Sequence, residues 1–66
     1  MKIIYNGTPH EVDEGTTVAA LLARLELVPR YVAVELNEQV VPRARHAECY
    51  LQSGDHVEIV TLVGGG

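Results

Sequence analysis

At 66 residues the chain has room for one small domain, which on folding hides only roughly 60% of the surface its unfolded form exposes. A composition 47% hydrophobic and 21% charged describes a folded chain rather than a disordered one, and a net charge of −4 disfavours nucleic acid and anionic membranes as partners. A single cysteine, no apolar run of the roughly 18 residues a membrane span needs, and no leader-like N-terminus give the expectation of a soluble, unprocessed, cytoplasmic protein.

The first twelve residues, MKIIYNGTPHEV, hold two short runs around Asn6-Gly7, the pair that best tolerates the positive φ angles of a tight hairpin turn. Strands are expected at about 1–5 and 8–12, with Met1, Ile3, Tyr5 and Val12 on one face. Pro9 cannot donate to a ladder and puts the second strand at an edge. In DEGTTVAALLARLEL, Val18, Leu21, Leu22 and Leu25 fall on one helical stripe. Thr16 or Thr17 supplies the N-cap, Asp13 and Glu14 lie near the positive end of the helix, and Pro29 marks its end.

YVAVELNEQVV reads as a strand, a turn at Asn37-Glu38-Gln39, and a short strand at Val40-Val41 halted by Pro42. Val32, Val34 and Leu36 share one face; Tyr31, Ala33 and Glu35 share the other. A connector with a helical turn near 44–47 and a tight turn at Ser53-Gly54-Asp55 leads to a last strand, about 56–63. There, Val57, Ile59, Thr61 and Val63 oppose Glu58, Val60 and Leu62. The sum is an α+β domain, a β-grasp (ubiquitin-like) fold: a mixed sheet of four to five strands with one main helix on one face and the first and last strands side by side at its centre. We place the domain at 1–63 and a flexible glycine tail at 64–66. One sheet face lies away from the helix, so Val60, Leu62 and Ala33 are expected to form a partner-docking patch unless the connector 43–55 folds over them.

Catalytic and metal chemistry is hard to find in these residues. No phosphate-binding glycine loop precedes a helix, and His10, His46, His56 and Cys49 match no metal-ligand spacing. Ser53, Asp55 and His56 are neighbours in one turn and cannot face one another as a catalytic triad does. Cys49 reads as a small half-buried side chain, and Glu11, Asp13 and Glu14 as a solvated helix entrance. What remains is the end of TLVGGG. Three residues without side chains can thread a channel too narrow for a β-carbon, and they leave the Gly66 carboxylate unhindered. A carboxylate reacts only once its oxygen becomes a leaving group, as in an acyl-adenylate, and this chain has no visible means of binding ATP. A partner enzyme must do so, and three extended residues reach at most roughly 10 Å, so the body must dock close to that partner's active site.

VAVELN followed by VVPR, SGDHVEIVTLV and the terminal GGG together resemble the ubiquitin-like sulfur carriers of bacteria, and among them the thiamine-biosynthesis carriers of the ThiS family, over essentially the whole chain. The resemblance implies a carrier and not an enzyme. It implies that Gly66 is adenylated by an E1-like adenylating enzyme of the ThiF type, which uses the ATP, and becomes a thiocarboxylate with sulfur that a cysteine desulfurase supplies. The sulfur then passes to a thiazole synthase of the ThiG type. Gly64 and Gly65 would thread the partner's active site, and no cofactor would be bound by the chain itself. His46 departs from the family pattern, which often has a bulky aromatic, commonly Trp, after VPR. Three alternatives stay open: the small subunit of molybdopterin synthase, a sulfur carrier for another pathway, and a ubiquitin-like protein modifier. A passive interaction module is a further class, which predicts full function after truncation of the tail.

Overall fold

The structure, a computed structural model, describes residues 1–62; Val63 and the three closing glycines lie outside the described residues. Strands β1 (Lys2–Tyr5) and β2 (Thr8–Glu11) form the first hairpin, α1 (Val18–Arg24) follows, β3 (Val32–Leu36) and β4 (Gln39–Val41) form the second hairpin, and β5 (His56–Thr61) closes the sheet. The strand order is β2-β1-β5-β3-β4, with β1 and β5 parallel and every other pairing antiparallel. This is the β-grasp arrangement expected from the sequence. β2 is an edge strand, as Pro9 requires, and β5 lies at the centre, so whatever follows Leu62 leaves from the middle of the sheet.

One face of the sheet and one stripe of the helix make the core. Val18, Leu21 and Leu22 of α1 pack with Ile3, Val34, Val57 and Ile59 from the strands, while Val12, Val32 and Leu51 close the margins. The alternation of the strands accounts for the selection, since each of these strand residues shares its pleat with the others facing the helix.

The connector after β4 explains how so short a helix is held. Thr17 Oγ1 accepts from Ala20 N (3.1 Å), as an N-cap should, while Val18 N donates to Cys49 O (2.9 Å) and Ala19 N to His46 O (3.0 Å). The opening N–H groups that every helix leaves unpaired are therefore satisfied by the connector's carbonyls. Leu51 N donates in turn to Thr16 O (2.9 Å). The connector is thus fastened to the helix side of the sheet and leaves the opposite face uncovered. Its helical turn, at Arg43–Arg45, is of the 3-10 type.

Two boundaries differ from the sequence expectation for one physical reason. The helix stops at Arg24 and does not run on to Pro29. Glu26 adopts φ 60°, Leu27 N donates to Leu22 O (2.9 Å), and Glu26 N to Ala23 O (3.0 Å). These are the bonds of a Schellman C-cap, with half-buried Leu27 folded back onto the core. The second hairpin turn is likewise two residues, Asn37 (φ 51°) and Glu38 (φ 70°), with Gln39 already paired to Leu36. Positive φ at both central residues defines the type I′ turn. Glutamate occupies a left-handed position in each case, and no glycine announces it. Replacing Glu26 by glycine removes the left-handed Cβ penalty and is expected to stabilise the domain by about 1 kcal/mol, a rise of about 4–8 °C in melting temperature. A calorimetric scan of Glu26→Gly checks this.

Candidate functional site

The uncovered face is built by the residues that alternate with the core set. Val60 on β5 stands directly opposite Ala33 on β3, and Glu58 directly opposite Glu35. Val60 is 57% exposed and Leu62 51% exposed, while Ala33 is half-buried between them and the neighbouring strand. Val40, opposite Glu35 on β4 and 68% exposed, extends the apolar surface to the sheet edge. Ala33, Val40 and Val60 line a shallow depression with Glu35 and Glu58. The structure therefore brings Val60, Leu62 and Ala33 into one exposed neighbourhood at the base of the tail. Gly64, Gly65 and Gly66 lie outside the described residues.

Sequence reasoning left Val40 out of this face, and it put Glu35 and Glu58 on the faces of Ala33 and Val60 without pairing them. The outward direction of Val40 follows once Val41 is taken as inward-facing, but the pairing of Glu35 with Glu58 depends on the register between strands far apart in the chain. Leu62 N donates to Tyr31 O (2.8 Å), which fixes the hydrogen-bonding parity of the whole β3–β5 ladder. By that parity Glu35 and Glu58 are a hydrogen-bonded pair, with Cα atoms about 5.5 Å apart and both side chains on one face. Neither carboxylate has an ion-pair partner among the described residues. Like charges opposite one another destabilise a sheet, so Glu58→Thr is expected to raise stability by about 0.5 kcal/mol in urea unfolding, most clearly at low salt.

Elsewhere the reactive residue types are occupied by structural tasks. Asp55 Oδ2 accepts from Gln52 N (2.7 Å) and its Oδ1 from Asn37 Nδ2 (3.0 Å), so both carboxylate oxygens hold turns together. His46 is 5% exposed, and its Nε2 carries the proton it donates to Val41 O (3.1 Å), since a carbonyl can only accept. Its Nδ1 has no partner among the described residues. His46 thus joins the end of β4 to the start of α1, its ring bonded to Val41 O and its backbone carbonyl accepting from Ala19 N. Cys49 is half-buried in a groove beside Leu36, Val41 and Pro42, whose one carboxylate, Glu48, is bonded to Arg45 at 2.7 Å. Glu11 lies 3.6 Å from the N-terminal ammonium and Asp13 3.9 Å from Arg24. Among the described residues no cluster of His, Cys, Asp or Glu is arranged to hold a metal ion, and no helix is long and apolar enough to cross a membrane.

One side chain acts on β5 itself. Asn6, at φ 47° in the first turn, donates from Nδ2 to Ile59 O (3.0 Å) and accepts at Oδ1 from Ile59 N (2.8 Å). Its amide stands in for a strand backbone where β1 has turned away. Asn37 treats the start of the same strand similarly, accepting from His56 N at 2.9 Å. Both hairpin turns therefore clamp the strand from which the tail departs.

Comparison with known proteins places this geometry in context. The model of the ThiS family matches residues 3–66. Over all 66 residues the chain is 46% identical to a thiazole synthase of Magnetococcus marinus and 41% identical to one of Paramagnetospirillum magneticum, but it spans only 20% of the length of each. It is 32% identical to the sulfur carrier protein ThiS of Escherichia coli K12, with the whole of both chains covered. The crystal structure of a thiamine biosynthesis protein (ThiS) from Geobacter metallireducens superposes on it with a TM-score of 0.86 at 38% identity, again over the full length of both.

Proposed function

The chain belongs to the ThiS family, the sulfur carriers of thiamine biosynthesis, and from that premise we propose that Gly66 is the group that carries the sulfur. The observation that carries this reading is the placement of an exposed apolar patch on the central strand four residues before Gly66, in a domain whose described carboxylates and histidines are otherwise engaged or solvated. Whatever path they take, four residues extend at most about 14 Å. A partner that reaches the carboxylate must therefore sit against the domain near Leu62, and Val60, Leu62 and Ala33 offer it apolar contact there.

The chemistry runs in two steps. An E1-like enzyme binds ATP, and the Gly66 carboxylate attacks the α-phosphate, releasing pyrophosphate and forming an acyl-adenylate. The outer sulfur of a cysteine persulfide charged by a cysteine desulfurase then displaces AMP to give an acyl disulfide. A second thiol attacks the carrier's sulfur, forming a disulfide with it and releasing the terminus as a thiocarboxylate. Gly64 and Gly65 admit the terminus to a narrow active site. The thiocarboxylate is a soft nucleophile held on a protein, which raises its effective concentration at the acceptor and keeps sulfide from diffusing away. The acceptor is a thiazole synthase. In the Magnetococcus and Paramagnetospirillum thiazole synthases a segment similar to this chain makes up a fifth of the protein, which supports a working association of the two. The carrier works in the cytoplasm and needs no cofactor of its own.

A reconstituted mixture of chain, ATP, activating enzyme, sulfur donor, and thiazole synthase with the substrates that supply the carbon and nitrogen of the ring tests the reading. Thiazole formed in one turnover should equal the thiocarboxylate supplied, and denaturing gels should show the carrier only at its own mass. Ladders of covalent adducts on other proteins would point to a modifier instead.

A further inference from the structure

The two strands beside β5 stop at different heights. β3 accompanies it to Thr61, and Leu62 adds one more bond to Tyr31, whereas β1 pairs no further than Tyr5 opposite Val57. Along a strand the N–H and C=O of successive residues point to opposite sides. Leu62 bonds toward β3, so Glu58 and Val60 do as well, and Val57, Ile59 and Thr61 present their backbone groups to the β1 side. Val57 O accepts from Asn6 N (2.9 Å), and both groups of Ile59 are taken by the Asn6 side chain. Next in that row is Thr61, an exposed residue beyond the end of the hairpin, whose N–H and C=O on this side meet no partner among the described residues.

We propose that the β5 edge at Thr61 is a strand-addition site, where an extended segment of the activating enzyme lies in the lane that β1 vacates and pairs with the Thr61 backbone. The other two edges of the sheet are blunted: β2 carries Pro9, and β4 is three residues long and ends at Val41, just before Pro42. No such device guards Thr61. Its position also suits a partner whose target is five residues further on, because an added strand lies about 4.8 Å from β5 and sets the direction in which the chain continues. A second copy of this chain fits the same edge poorly, since pairing would draw together two domains of charge −4, each with Glu58 close by. The proposal rests on the reading that a partner activates Gly66.

Amide hydrogen exchange of the intact chain, followed by NMR, alone and saturated with the activating enzyme and ATP, tests it. Thr61 should exchange freely in the free chain and slow by at least about tenfold in the complex, while Leu62 is protected in both. Fast exchange of Thr61 in the saturated complex overturns the proposal, as does concentration-dependent protection in the free chain, which would mean self-association. Thr61→Pro provides a second readout, because it deletes a donor the fold does not use. Its melting temperature should stay within a few degrees of the parent and its KM for adenylation should rise about tenfold. An unchanged KM contradicts strand addition. If the parent chain forms no adenylate at all, the carrier reading fails; if it is adenylated while Thr61 exchanges freely, only strand addition fails.

Discussion

A chain lacking Gly66 is expected to fold and melt as the parent does and to form no detectable thiocarboxylate. The described core draws on residues from Ile3 to Ile59, and a glycine has no side chain to bury, so removing one terminal glycine is expected to leave stability unchanged. The truncated chain still ends in a glycine carboxylate, which makes the test a stringent one about position rather than chemistry. Shortening by one residue withdraws the carboxylate by up to about 3.5 Å from the attacked phosphate. In-line attack requires the reacting atoms about 3–3.5 Å apart, and a misplacement of about 1 Å already slows reactions by about a hundredfold. The body cannot follow the shortened tail if Val60 and Leu62 are held against the partner. Melting temperature and adenylate yield, measured on the same preparation, separate loss of activity from loss of fold.

Asn6→Ala is expected to be the most damaging single change in a turn, lowering stability by about 2–4 kcal/mol. Two effects combine. The Ile59 N–H and C=O lose their partners in a partly buried position, and alanine must adopt the left-handed φ that asparagine tolerates. For a domain of this length the total stability is of order 3–10 kcal/mol, so the urea midpoint should fall by about 2 M or more. Asn6→Gly separates the two effects, since it keeps the turn conformation and deletes only the clamp; a stability midway between parent and Asn6→Ala is expected. Equal stability of Asn6→Gly and the parent would show that the clamp contributes nothing.

Much of this architecture could be read from the residues because its signals are local. Asn6-Gly7 announces the first hairpin, the stripe of Val18, Leu21 and Leu22 announces the helix, and Pro9 places β2 at the edge. The boundaries that were missed fall where glutamate takes a left-handed conformation, at Glu26 and Glu38, and neither residue's identity carries that information. Long-range partners were invisible for a different reason. Asn6 and Ile59 are 53 positions apart, and nothing in a short window reports that a turn side chain completes a distant strand. The same holds for Glu35 and Glu58, whose opposition appears only once the β3–β5 register is set. The candidate site divides along this line. Its reactive end could be proposed from three glycines in sequence, whereas the extent of the apolar face, with Val40 at its margin, required the sheet.

Intact-mass spectrometry of the chain after incubation with ATP, the activating enzyme and a sulfur donor tests the central claim most directly. The account predicts a gain equal to the replacement of one oxygen by sulfur, located by fragmentation to Gly66 and dependent on ATP. Sulfur found at Cys49 or elsewhere in the chain, with the Gly66 carboxylate unaltered, would contradict it.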